Sequence, residues 1–296
     1  MSWIKSFSVG YGDMYYIRHG SDNFTIIDCS IPDDRKGNIL PDIAYESRNK
    51  SVVRFISTHP DQDHISHLID LDDHINIRNF YCVKNAATKK KPTKDFERYV
   101  ELRDSEKAFY LYAGCRRRWM NEDDDEKKHG SSGINVLWPR TDDPDFQSAL
   151  ADAANGLPPN NISPIIKYKL QDGVSMLWMG DMETNFMEKL VPKLDLPNID
   201  VVFAPHHGRA SGKIPSVWLK QLDPQLVVIG EAPSEYLDYY SGYNVITQNS
   251  CGDILFDAHG NRVDIYVGEN AYSVDFLLDE GRDTLDGLYY IGSLSV

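Results

Sequence analysis

The chain has 296 residues, with 31 Lys and Arg against 45 Asp and Glu, a formal net charge of −14 and 41% apolar residues. That length buries a substantial core with no help from a disulfide or structural metal, and the charge argues against a long-range electrostatic grip on nucleic acid by the whole molecule. Cys29, Cys82, Cys115 and Cys251 form no C-x-x-C pair, and MSWIKSFSVGYGD has no apolar signal core, so a reduced, cytoplasmic protein without membrane contact is expected.

In chain order, WIKSFSV, MYYIRH, FTIIDC, SVVRFIST and INIRNFYCV are short β-branched and aromatic runs bounded by turn formers, and each predicts a strand. A helix is expected at HISHLIDLDDH. Residues 84–132 then break the rhythm with a basic segment, a long helical pattern from about Asp95 to Met120 and the charged stretch NEDDDEKK; they are expected to be an insertion. INVLW predicts another strand, TDDPDFQSALADAANGLPPNN an irregular connection, and PIIKYKL, VSMLWMG, IDVVFAP, PQLVVIG, DILFD and RVDIYVG further strands. Short helices are expected after Thr184 and Pro215. The order implies an α/β or α+β class, expected as a single domain over residues 1–296.

Charge is uneven. Residues 151–296 carry 9 Lys and Arg against 20 Asp and Glu, whereas Lys84, Lys89, Lys90, Lys91, Lys94, Arg98 and Arg103 cluster before a second knot, Arg116 to Arg118. Such a cluster is ordinarily a solvated helix face; a local contact with phosphate is the functional alternative.

Three strand ends carry chemistry. SVVRFIST delivers His59, Asp61, Asp63 and His64 within six positions, LWMGDMET delivers Asp181, and VVFAPHHGR delivers His206 and His207. An N-cap explains one of the carboxylates after SVVRFIST, and a strand-end turn explains Asp181 alone. Neither explains two His with two Asp, and adjacent His206 and His207 both need ring partners. His67 and His74 read as polar helix-face residues, and His19 and His259 as turn residues.

Together, His-x-Asp-x-Asp-His, Gly-Asp and His-His-Gly resemble the metallo-β-lactamase superfamily. More narrowly, Val9-Gly10-Tyr11-Gly12-Asp13, Ile27-Asp28, the H-P-D-x-D-H-I segment, Asn160-Asn161-Ile162-Ser163 and P-H-H-G resemble the branch containing the cytoplasmic domain of the DNA-uptake channel protein ComEC. The chain departs from that pattern at Ser66 and His67, where the branch has glycines, and in lacking the usual third histidine of the first metal site. His129 lies in a charged loop, and Asn160 or Asn161 is nearer the expected position.

The resemblance implies an αββα metallo-β-lactamase sandwich, two mixed β-sheets with helices on the outer faces, and two divalent ions at one rim. His59 and Asp61 would hold one ion, Asp63, His64 and His207 the other, with Asp181 bridging and His206 facing substrate; which of His206 and His207 is the ligand stays open. Asp61 in place of histidine adds a hard oxygen ligand and moves preference from Zn²⁺ toward Mn²⁺ or Mg²⁺. The activity implied is a phosphodiesterase or nuclease with Asp63 and His206 catalytic, and with Asn160, Asn161, Lys89, Lys90 and Lys91 contacting a nucleic acid or other phosphodiester. Two alternatives remain: a small-molecule ester, lactone or phosphocholine-type hydrolase, and a non-catalytic or partner-activated component of a multiprotein system.

Overall fold

A computed structural model describes residues 1–123, 126, 128–232 and 238–296. The early elements are β1 (Ser2–Ser6), β2 (Tyr15–Arg18), β3 (Asn23–Ile27), α1 (Lys36–Ser47), β4 (Val52–Ser57), α2 (Gln62–Ile65), α3 (Leu68–Ile75), β5 (Phe80–Cys82), α4 (Lys94–Arg103) and β6 (Ala108–Tyr110). There follow β7 (Ile134–Trp138), α5 (Pro144–Ala154), β8 (Ile165–Lys169), β9 (Ser175–Trp178), α6 (Thr184–Leu190), β10 (Val201–Phe203), α7 (Ser216–Leu222) and β11 (Leu226–Ile229). The last are β12 (Val245–Thr247), α8 (Gln248–Cys251), β13 (Ile254–His259), β14 (Arg262–Val267) and β15 (Tyr289–Ser295).

These strands form two mixed sheets, in the orders β15-β14-β13-β1-β2-β3-β4-β5-β6 and β12-β11-β10-β9-β8-β7. Period-two alternation assigns the faces of the first sheet. Tyr15, Ile17, Ile27, Ile56 and Tyr81 point toward the second sheet, while Tyr16, Ile26, Phe55 and Phe80 pack against α1, α3 and α4. Tyr15 meets Trp178 and Phe203 of the second sheet edge-on, with ring centroids 6.0 and 5.0 Å apart. The second sheet packs against α5, α6 and α7 through Phe146, Phe186 and Trp218. The result is an α/β sandwich of four layers, helix, sheet, sheet and helix, as expected. Among the described residues no helix is long and apolar enough to cross a membrane.

Several local expectations fail for identifiable reasons. The long helix stops at Arg103, where Asp104 closes α4; Ala108-Phe109-Tyr110 pairs in parallel with β5 as an edge strand. Within residues 84–132, Ala108–Tyr110 adds an edge strand to the first sheet; Asp124, Asp125 and Lys127 of NEDDDEKK lie outside the described residues. The helix expected from His64 is split at His67, whose φ of 63° is left-handed, into α2 and α3. The expected irregular stretch contains α5, because the Asp143 side chain caps the backbone N–H groups of Asp145 and Phe146 and Pro144 occupies the first helical turn. The strands β6, β12 and β15 and the helix α1 are unanticipated.

Candidate metal centre

Four parallel strand ends meet at one rim. β3 and β4 pair in parallel in the first sheet, as do β9 and β10 in the second. Asp28 follows β3, His59 to His64 follow β4, Asp181 follows β9, and His206 and His207 follow β10. Asp28, His206 and His207 have φ of 57°, 52° and 56°, unusual for side chains other than glycine and a mark of backbone held against its preference.

Asp181 lies at the middle. Its Oδ1 is 3.1 Å from His64 Nε2, and its Oδ2 is 3.5 Å from His207 Nε2, 3.6 Å from His206 Nε2 and 3.9 Å from His59 Nε2. Asp63 Oδ2 is 3.5 Å from His207 Nε2. His59, His64, His207 and Asp181 are all at most 2% exposed. The Nε2 atoms of these three histidines and Asp181 Oδ1 have no hydrogen-bond partner. Buried polar atoms are otherwise nearly always paired, so four unpaired atoms gathered around Asp181 make this place a candidate for a bound cation.

The far nitrogens are occupied. Asp28 Oδ2 accepts from His64 Nδ1–H at 2.9 Å and from the Thr58 hydroxyl at 2.6 Å, while Asp28 Oδ1 accepts from Thr58 N–H at 2.7 Å. Asp13 Oδ1 accepts from His207 Nδ1–H at 3.1 Å and from the Tyr15 hydroxyl at 2.9 Å. Carboxylates only accept, so both rings carry hydrogen on Nδ1 and aim Nε2 at Asp181. Asp13, His64, Asp181 and His207 are the one group, among the described residues, of three or more His, Cys, Asp and Glu whose ligand atoms lie within 4.8 Å of one another.

The donor set fits a cation. Metal bonds of about 2.0–2.1 Å in a tetrahedron imply ligand-to-ligand edges of about 3.3 Å; His64 Nε2 to Asp181 Oδ1 at 3.1 Å, and His207 Nε2 to Asp181 Oδ2 and Asp63 Oδ2 at 3.5 Å each, are individually close to that edge. Electrostatics agree. Burial disfavours the charged forms of His64 and His207, but Asp181 with Asp28, and Asp13 with Asp181, outweigh it and raise both rings well above 6.5. Burial would likewise raise Asp181 and Asp63, yet the two histidines hold both carboxyls well below the ordinary range. His59, with burial and the nearby His64 against its charge, is pushed down to about 4.

Other residues expected at the site are placed differently. Asp61 is turned to Lys89, whose Nζ is 3.0 Å from Oδ1. A cavity of about 310 Å³ beside them is lined by residues that include Pro60, Asp61, Lys89, Lys90, Phe96, Leu157 and Pro159. Lys91 is exposed and outside that lining. The Asn161 amide exchanges two hydrogen bonds with Glu183, whereas buried Asn160 leaves Oδ1 unpaired. Half-buried His206 is 2.9 Å from Ser211 Oγ through Nδ1. His129 pairs with Asp22 at the opposite end of β3 from Asp28. A larger cavity, about 550 Å³, is lined by residues such as His19, Ser132 and Tyr168, none of them in the cluster.

Asp13 and Asp28 are the carboxylates that residue-by-residue reading passed over. Both lie in short segments, V-G-x-G-D and Ile27-Asp28, where a single carboxylate carries no metal signal of its own.

No family model and no curated protein matches the chain. Among the solved structures that match, one is a Thermotoga maritima protein assigned as a Zn-dependent hydrolase of the metallo-β-lactamase superfamily, 11% identical over 79% of this chain and 78% of that one, with TM-score 0.33. Another is CmlA, a diiron β-hydroxylase from Streptomyces venezuelae, 12% identical over 78% of this chain, with TM-score 0.42; the chain spans 44% of that protein. Neither is described as a DNA-uptake protein, and at these scores neither decides the chemistry here.

Proposed function

We propose that the protein is a metal-dependent hydrolase acting on phosphodiesters. The observation that carries this reading is the convergence of three buried, unpartnered histidine nitrogens on Asp181. In it, His64, Asp181 and His207 hold the cation with Asp63 at its edge, and Asp28 and Asp13 fix the rings as carboxylates behind histidines commonly do. Asp13 is read as the orienting partner of His207, because its Oδ1 is already taken by that ring and by Tyr15. A bound divalent cation supplies Lewis acidity and lowers the pKa of water. In this reading Asp63, one-third exposed, accepts the proton of the attacking water, and half-buried His206, 3.6 Å from Asp181, contacts the substrate.

Anion preference is supported by Lys89 and Lys90, which line the cavity beside Pro60 and Asp61 in an otherwise acidic protein. That cavity has room for a group of nucleotide size. Phe96, Leu157, Pro158 and Pro159 in the same lining favour a second reading, a small ester with an apolar leaving group. One panel separates them: bis-p-nitrophenyl phosphate, single- and double-stranded DNA, RNA and p-nitrophenyl esters, each with Zn²⁺, Mn²⁺ and Mg²⁺ after metal analysis. Cation-dependent turnover of the phosphodiesters is expected; turnover of the carboxylic esters alone would replace this reading with the second.

A further inference from the structure

We infer that the centre is built for a single divalent cation, with the Lys89 ammonium occupying the role of a second. This rests on the metal-centre reading above and departs from the two-ion arrangement implied by sequence resemblance.

The donors of a second site do not assemble. His59 Nε2 is 3.9 Å from Asp181 Oδ2, longer than the edges among His64, Asp181, His207 and Asp63. Asp61, the other donor expected beside His59, gives its carboxylate to Lys89 at 3.0 Å. Among the described residues no group of three or more His, Cys, Asp and Glu that includes His59 or Asp61 brings its ligand atoms within 4.8 Å of one another.

Lys89 is held in place from two directions. Its neighbour Thr88 is tied to the end of α5, with N–H donating to Ala153 O at 3.1 Å and the hydroxyl to Ala154 O at 2.9 Å. Its Nζ lies 5.4 Å from the ring centroid of Phe96 on α4. The backbone beside Lys89 is thus anchored to α5, while its ammonium lies near Phe96 of α4 and against the carboxylate a cation would need. A fixed monovalent cation neutralises Asp61 and leaves an N–H donor facing the cavity, so it orients an anionic substrate without supplying a second Lewis acid.

The test titrates cation-free full-length protein with Zn²⁺ by calorimetry and elemental analysis, and with Mn²⁺ by electron paramagnetic resonance. Wild type is expected to bind one equivalent and give an uncoupled Mn²⁺ spectrum. Lys89→Met frees Asp61 and is expected to bind two, with an exchange-coupled spectrum; Lys89→Arg is expected to stay at one. Two equivalents in wild type, or one in a folded Lys89→Met, would overturn the inference. Should Lys89→Met not fold, Asp61→Asn decides: affinity for the one cation within about threefold of wild type supports the inference, and a tenfold loss overturns it, because Asp61 would then be a ligand. No cation in wild type or in any variant would overturn the metal-centre reading itself, and this inference with it.

Discussion

His64 Nδ1 lies 2.9 Å from Asp28 Oδ2, and both side chains are essentially sealed from solvent. The pair joins the end of β3 to the loop after β4, so the carboxylate that orients the ring also closes the first sheet at its rim. His207 and Asp13 repeat the relationship from the second sheet. Replacing either carboxylate by the isosteric amide leaves volume unchanged and weakens ring orientation. Asp28→Asn and Asp13→Asn are each expected to lower cation affinity roughly 10- to 100-fold with the fold intact. Chelator competition with circular dichroism measures both; unchanged affinity in the two variants would remove the carboxylates from the centre.

A pH dependence follows from the shifts at the same residues. His64 and His207 are raised above their unfolded value by Asp181 with Asp28 and by Asp13 with Asp181, so a cation at these rings competes with protons. Calorimetry in buffers of different ionisation enthalpy should therefore report proton release on cation binding, with affinity rising with pH. Stability of the cation-free protein runs the other way. The raised histidines contribute fully below about 6.5 and lose their contribution as pH climbs through the folded values, while Asp63 and Asp181, depressed, contribute above about 3.8 and lose theirs on acidification. Cation-free Tm should therefore peak between those limits, and the increment from added cation should grow above them. A cation increment independent of pH would contradict the assignment.

Sequence alone makes much of this cluster visible because its histidines and carboxylates sit where buried strands end, and apolar runs such as SVVRFIST and IDVVFAP announce those ends. His59, His64 and His207 each place Nε2 within 4 Å of an Asp181 carboxylate oxygen. Asp61 shows the limit: a motif gives residue order, but not whether a carboxylate faces a cation or an ammonium 28 residues later. Similarly, Phe109 and Tyr110 read as a continued helix, because their parallel partner, β5, is set by tertiary pairing. α5 was legible in principle from Asp143-Pro144, a cap followed by proline, but the many turn formers around it outweighed that signal.

The two neighbouring lysines provide an internal comparison of cavity and surface. Lys90 lines the 310 Å³ cavity and Lys91 does not. On an anionic phosphodiester, Lys90→Ala should raise KM roughly two- to fivefold with kcat nearly unchanged, and the effect should shrink at high salt. Lys91→Ala should match wild type in both constants. Equal behaviour of the two variants would make the segment a solvated face and shift the balance to the small-ester reading.

Gly12 packs against Ser30 and the backbone of Asp63. Its φ is +145°, and a Cβ there would meet Ser30 Oγ at 2.3 Å and the Asp63 carbonyl oxygen at 2.4 Å. The same Asp63 carbonyl accepts the Asp13 backbone N–H at 3.2 Å, so relief of the clash has to separate the strut behind His207 from the carboxylate beside it. Gly12→Ala is expected to lose roughly 2–4 kcal/mol through overpacking and backbone strain. Cation affinity should fall more than tenfold, since Asp13 and Asp63 move apart together. Gly37→Ala is the control: Gly37 is exposed in the first turn of α1, has nothing within 4 Å of its added Cβ, and should leave Tm unchanged or slightly raised. Thermal melts with and without Zn²⁺ measure both variants. Wild-type affinity in Gly12→Ala would mean that the Asp13–Asp63 contact does not hold the centre together.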